Sequence, residues 1–151
     1  EDEVVDDRIS ACRGTFYKLE GVGSVGRGFD PATLSKLYWA VCIPKLIYGL
    51  EITDVSDKGL KTLEGAHCDF GRIIQELPPL SARPTNYTLL GWRCLKAQLD
   101  ICRLVFLYAI LSLPSTNISW KILTKRWTEC RFRENMVVGH GPVRTLYDTA
   151  T

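Results

Sequence analysis

Apolar residues recur at helical spacing along most of the chain, and this periodicity limits the fold more than any other feature of the sequence. In the first segment, Val5, Ile9, Cys12, Phe16 and Leu19 are separated by alternating steps of four and three residues. This spacing places them on one face of an α-helix. No segment alternates apolar and polar residues over a length that would build a β-sheet. The sequence therefore predicts an all-α protein with about five helices in a compact, irregular bundle.

Capping residues and prolines mark four further predicted helices. Asp30, Ser56 and Asn117 each precede an apolar-periodic segment and have side chains that accept hydrogen bonds from the first amides of a helix. Pro44 lies inside the second helix, so we expect a kink or break near Cys42–Ile43. The residues predicted to share apolar faces are Leu34, Leu37, Val41 and Tyr48; Leu60, Leu63, His67, Phe70, Ile74 and Leu77; Leu95, Leu99, Cys102, Phe106 and Leu113; and Ile118, Ile122 and Trp127.

The helical pattern fades after Phe132, so we predict one helical domain over residues 1–132 and an irregular tail over residues 133–151. The hydrophobic content of 46% and the charged content of 24% are those of a soluble globular protein. The longest apolar run, from Leu104 to Leu113, is too short to span a bilayer. The acidic N-terminus lacks the features of a secretory signal. The predicted location is therefore intracellular, nuclear or cytoplasmic, and because the chain begins with Glu1 we expect an upstream portion.

Six cysteines are spread along the chain without a C-x-x-C pair. Most of them fall on the apolar faces of predicted helices, where free cysteine behaves as a small hydrophobic residue. The sequence therefore favours reduced, buried thiols over a disulfide framework.

Three motifs that carry chemistry in other proteins are better explained by structure here. The glycines of residues 21–26 match G-x-G-x-x-G, but the preceding segment has helical rather than strand periodicity, which favours an interhelix loop. Asp6 and Asp7 resemble a metal-binding aspartate pair, yet they lie in a helical pattern and not in a hairpin. His67 and Cys68 are adjacent and point about 100° apart on a helix, so His67 is interpreted as a packing residue. We predict no catalytic residues, no metal site and no cofactor.

The order of several segments resembles the region that follows the catalytic palm in reverse transcriptases of non-LTR (LINE-type) retrotransposons. Residues 44–51 read P-K-L-I-Y-G-L-E and are preceded by the amphipathic segment L-S-K-L-Y-W-A-V-C-I over 34–43. A leucine-spaced helix follows over residues 60–74, and L-L-G-W over 89–92 stands ahead of another long helix. The resemblance extends from about Val4 to Trp127, and the collinear order is more specific than any one segment.

This resemblance implies a helical thumb and the start of a connection, which grip the template–primer duplex without taking part in catalysis. The family's aspartate-pair motif lies upstream of this region and does not occur in this chain. The expected partners are an RNA–DNA or DNA duplex and, in a longer chain, a palm domain, with no membrane.

The second half of the chain is the basic half and contains the predicted contact residues. Residues 77–151 carry 10 basic and 4 acidic side chains, whereas residues 1–76 carry 9 and 13. Lys121, Lys125 and Arg126 lie on a capped predicted helix in this half and are the predicted nucleic-acid-binding residues. Nearby tryptophans could stack on bases, although their spacing is more typical of core packing. The alternative function is a helical protein-interaction module with an exposed apolar stripe.

Overall fold

The computed structural model describes residues 2–23, 28–132 and 142–150. These residues form helices and no β-strand, so the all-α prediction is confirmed. Within these ranges, no helix combines the length and apolar character needed to cross a membrane. The helices are α1 (Asp2–Gly23), α2 (Pro31–Leu37), α3 (Ile43–Ile47), α4 (Asp57–Ile74), α5 (Arg83–Leu90), α6 (Leu95–Leu111), α7 (Ile118–Phe132) and α8 (Pro142–Ala150), with a π-helical turn over Tyr38–Cys42 between α2 and α3.

The chain divides into two compact units. Unit 1 consists of Glu1–Tyr48 and Val55–Lys96, and unit 2 consists of Gly49–Asp54 and Ala97–Thr151. The boundary that the sequence predicted, at residue 132, does not coincide with this division. The short segment Gly49–Asp54 belongs to unit 2, although the residues before and after it belong to unit 1. The composition of the sequence does not reveal this assignment, because it depends on contacts with residues that are distant in sequence.

The core of unit 1 lies where α1 and α4 pack against the α2–α3 segment. Phe16 of α1, Tyr38 of the π turn and Phe70 of α4 are buried, with ring centroids of Phe16 and Phe70 4.8 Å apart and those of Tyr38 and Phe70 5.5 Å apart. The predicted apolar face of α1 is buried from Val5 to Phe16, as helical spacing required. Leu63, Phe70 and Ile74 of α4 are buried as predicted.

The π turn changes which residues of the second predicted helix face the core. The amide of Ile43 donates to the carbonyl of Tyr38, five residues earlier, at the place where the sequence predicted a kink before Pro44. Val41 and Tyr48, predicted to be on the buried face, are exposed. The side chains that face the core around and beyond the turn are Tyr38, Cys42, Ile43, Leu46 and Ile47. The prediction for Val41 and Tyr48 was wrong because it assumed 3.6 residues per turn throughout.

Side-chain caps begin two helices where the sequence predicted them. Asp30 accepts from the amide of Thr33 at 3.0 Å, and Ser56 accepts from the amide of Gly59 at 3.0 Å. At the other end of α4, Leu77 N–H donates to the Arg72 carbonyl at 2.9 Å, and Glu76 between them has a positive φ of 52°. This is a Schellman motif with a non-glycine residue in the left-handed position.

The apolar centre of unit 2 joins α6, α7 and α8. Leu107, Leu123 and Leu146 are buried together, one from each helix, and Trp127 packs against them. Arg103 is buried on α6 and donates through Nη2 to the carbonyl of Thr53 at 3.4 Å. That contact ties the segment Gly49–Asp54 to the rest of unit 2.

The predicted irregular tail is wrong for its last part. Residues 142–150 form α8, whereas residues 133–141 lie outside the described residues. A helix of nine residues gains little stability from its own hydrogen bonds, so its formation depends on burying Leu146 against the other helices.

Candidate nucleic-acid interface

The predicted binding residues lie on α7, which begins at a side-chain cap. Asn117 accepts from the amide of Ser119 at 2.9 Å, and its carbonyl accepts from the amide of Lys121 at 3.1 Å. The prediction that Asn117 caps this helix is confirmed. Because the helix continues from this cap to Phe132, Lys121, Lys125 and Arg126 all belong to one rigid element.

The three basic side chains are exposed on α7. Lys121 and Lys125 are one turn apart, and Arg126 follows directly. Lys121 and Lys125 lie on the side of α7 opposite the buried Leu123, whereas Arg126, three residues after Leu123, lies nearer to the buried side and is still exposed. Within the described residues, no carboxylate lies within 4.0 Å of any of the three, and their charges are therefore available to a ligand.

A surface groove accompanies two of the cations. Its volume is about 540 Å³, and it is lined by Ile122, Lys125, Arg126 and Glu129. Glu129 follows Lys125 by four residues and Arg126 by three, so its carboxylate reduces the positive potential at one end of the groove. The stronger positive potential is therefore expected towards Lys121, at the N-terminal part of α7.

The tryptophans near these basic residues do not form one exposed stacking surface. Trp92 is buried in unit 1, and Trp127 is half-buried with its ring 5.0 Å from that of Tyr147, in an edge-on arrangement. Trp120 is half-buried on α7. The interpretation of Trp92 as a core residue is confirmed, whereas Trp120 and Trp127, each beside a predicted contact residue, are both half-buried.

Trp92, the last residue of the L-L-G-W segment, instead completes an aromatic group in the core of unit 1. Its ring stacks on Tyr38 at 4.7 Å and on His67 at 4.7 Å, with interplanar angles of 10° and 18°. Its Nε1 donates to the hydroxyl of Ser35 at 2.7 Å. The L-L-G-W segment therefore fixes the packing of α2, the π turn and α4 by means of one indole ring.

Burial keeps His67 neutral, and two hydrogen bonds fix its tautomer. The carbonyl of Arg93 lies 3.3 Å from Nε2 and can only accept, so Nε2 holds the proton. Nδ1 then accepts from the hydroxyl of Tyr38 at 2.9 Å. Burial lowers the pKa of His67 to about 4. Both ring nitrogens are occupied, and the interpretation of His67 as a packing residue is confirmed.

Glu64 links three elements at the edge of this aromatic group. One carboxylate oxygen accepts from the hydroxyl of Tyr87 at 2.7 Å, and the other accepts from the amide of Lys96 at 2.9 Å. Burial and the hydrogen bond to Glu64 raise the pKa of Tyr87. These bonds position α5 and the start of α6 on α4. No local sequence pattern indicates these bonds, because the partners lie more than 20 residues apart.

The aspartate pair has the local structure that the sequence favoured, whereas the interhelix loop predicted over residues 21–26 is wrong for residues 21–23, which are helical. Asp6 and Asp7 lie in α1 and are exposed. Gly21 and Gly23 belong to the end of α1, while residues 24–27 lie outside the described residues. In the part of the chain that the structure describes, no three or more His, Cys, Asp and Glu residues are grouped so that they could hold a metal ion.

An exposed apolar stripe on α6 is the second surface of functional interest. Ile101, Leu104, Val105, Tyr108 and Leu111 follow helical spacing and are exposed, with Val105 63% and Tyr108 74% accessible. The opposite face of the same helix buries Leu99 and Leu107. An α-helix that is apolar on both sides normally has both sides covered.

Comparison with known proteins finds no relative for the chain. No protein-family model matches the sequence, and no curated protein or solved structure matches it.

Proposed function

We propose that the chain binds a nucleic-acid duplex, in the manner of the helical region that follows the palm of a non-LTR reverse transcriptase, and has no polymerase activity of its own. The observation that carries this proposal is the set of three exposed cations on α7, Lys121, Lys125 and Arg126, none of which forms an ion pair with a described residue. Flexible basic side chains on a rigid helix can follow a phosphate backbone without reading base sequence.

The placement of the resembling segments on helices also supports the proposal. The stretch P-K-L-I-Y-G-L-E begins in α3, the leucine-spaced segment is α4, and L-L-G-W precedes α6. Three segments of the resemblance thus fall on or beside helices, in the expected order along the chain. A thumb-like role requires helices that present charge, and α7 presents basic side chains in the second half of the chain.

The proposal is tested by binding to a fluorescent RNA–DNA hybrid at several salt concentrations. The wild-type chain should bind weakly, with little dependence on sequence. Replacing Lys121, Lys125 and Arg126 together with Ala should weaken binding and reduce the slope of log affinity against log salt by roughly three units, about one for each lost phosphate contact.

A matched control removes the same number of charges elsewhere. Lys18, Lys36 and Lys61 are exposed residues of unit 1, and their combined replacement with Ala changes the net charge equally. This variant should keep the wild-type slope. An equal loss of binding affinity in both variants would show a general charge effect. Unchanged binding after replacement of the three α7 residues would exclude the α7 site. Metal-dependent primer extension by the purified chain would contradict the absence of polymerase activity.

The apolar stripe on α6 favours a second candidate, a helical protein-interaction module. Association through Val105 and Tyr108 would bury apolar surface and would persist or strengthen at high salt, whereas phosphate binding weakens. Binding that is lost in Val105→Ser with Tyr108→Ser, but is unaffected by salt, would favour this candidate over nucleic-acid binding.

A further inference from the structure

Two buried cysteines face each other where α1 packs against the π turn. The helices run antiparallel at this place, since Arg8 lies over the ring of Tyr48 at 5.1 Å and the rings of Phe16 and Tyr38 are 6.1 Å apart. Cys12 is four residues from both Arg8 and Phe16, and Cys42 lies between Tyr38 and Tyr48. The two flanking contacts therefore place the cysteine side chains opposite each other.

Neither thiol has any exposed surface, and each shifts the pKa of the other. The interaction with Cys12 lowers the pKa of Cys42, and the interaction with Cys42, together with burial, raises the pKa of Cys12. Lys45, on the next turn, further lowers the pKa of Cys42, and its Nζ donates to the Thr15 hydroxyl at 2.9 Å. A thiol held towards its ionised form beside a second thiol is the arrangement that favours disulfide formation.

We propose that Cys12 and Cys42 form a reversible disulfide when the protein is exposed to a peroxide. The sulfur of Cys42 attacks one peroxide oxygen, the O–O bond breaks, and the departing oxygen takes up the thiol proton to leave as water. The sulfur of Cys12 then attacks the resulting sulfenic acid, the S–O bond breaks, and a second water leaves with the proton of Cys12. Two thiols are thereby oxidised by two electrons, and one peroxide is reduced to two waters.

The disulfide would join α1 covalently to the π turn and enclose the chain between residues 12 and 42. A cross-link of this span restricts the unfolded chain and should raise the midpoint of thermal unfolding by several degrees. A dithiol reductant should return the midpoint to its original value. The inference is independent of nucleic-acid binding, because all the groups involved belong to unit 1.

Peptide mapping of the full chain tests the proposal directly. Trypsin releases Cys12 in the peptide of residues 9–13 and Cys42 in that of residues 37–45. After treatment with hydrogen peroxide and alkylation of remaining thiols, these peptides should appear linked and lighter by two hydrogen atoms than their sum. Recovery of both as free thiols after the exposed Cys94 has been fully oxidised would overturn the proposal.

Two variants separate this pairing from other oxidation. Cys42→Ala should abolish both the linked peptide and the peroxide-dependent rise in the unfolding midpoint, whereas Cys94→Ala should preserve both. If the Cys42 variant does not fold, mapping of the wild-type chain decides alone. A linkage of Cys42 to any cysteine other than Cys12 would also contradict the proposal.

Discussion

His67 shows how one buried residue makes the stability of a fold depend on pH. In the folded chain its pKa is about 4, below the value of about 6.5 of an unfolded chain. As pH falls, the unfolded chain takes up a proton first, so the stability that is present above about pH 6.5 is lost progressively down to about pH 4.

We expect the free energy of unfolding to fall by about 2 kcal/mol between pH 7 and pH 5 because of this histidine. Urea unfolding at both pH values measures the change. His67→Gln keeps one donor and one acceptor but cannot titrate, and it should show a smaller change over this interval. A change of equal size in the variant would assign the pH dependence to other groups.

Glu76 occupies a backbone conformation that glycine adopts more easily. Its φ is 52°, whereas the equivalent position after α5 is occupied by Gly91 with a φ of 64°. Glu76→Gly should raise the free energy of unfolding by about 0.5–1 kcal/mol, because a left-handed conformation costs a residue with a Cβ roughly this much more. The measurement is urea denaturation at pH 7.

Gly91→Ala provides the complementary change. A Cβ at Gly91 would meet no atom within 4 Å, so its cost is conformational rather than steric. We expect a loss of about 1 kcal/mol. Stabilisation by the alanine, or destabilisation by Glu76→Gly, would mean that these helix ends differ in solution from the structure.

At the scale of elements, α2, the π turn and α3 show where sequence periodicity stops being sufficient. The caps and the positions of most helices follow from local residues such as Asp30 and Ser56. Local residues do not determine which face of the segment is buried, because the position of the π turn depends on packing against α1 and α4 as well as on Pro44.

Substitution of Leu46 and Val41 distinguishes the π turn, which buries Leu46, from a continuous α-helix, which would bury Val41. Leu46 has no exposed surface and Val41 is 37% exposed. Leu46→Ala should lower the free energy of unfolding by about 2–5 kcal/mol, because it leaves a cavity in the core of unit 1. Val41→Ala should lower it by less than about 1 kcal/mol. Chemical denaturation measures both, and the reverse order would indicate a continuous α-helix with Val41 buried.

At the scale of the whole molecule, the sequence predicts the class of fold and the order of its main helices, but not how they group. Val143, Leu146 and Tyr147 have helical spacing after Pro142, so a local signal for α8 was present. This pattern is too short to predict a stable helix by itself. The helix is stabilised by packing of Leu146 against Leu107 and Leu123, which are distant in sequence. The apolar face predicted for α7 was wrong at Ile118 and Ile122, which are exposed, because the buried side of the helix is set by packing of Leu123 against α6 and α8. The aromatic group around Trp92 likewise required knowledge of three distant segments.

The π turn also has a consequence for how the chain tolerates changes of length. A π turn is equivalent to an α-helix with one inserted residue. Deletion of the exposed Ala40 would therefore leave the buried residues before and after the turn at ordinary α-helical spacing. Pro44 would then lie inside a continuous helix, where its ring clashes with the preceding turn. The inserted residue and the proline therefore compensate for each other. Deletion of Ala40 should be harmful alone and much less harmful when combined with Pro44→Ala.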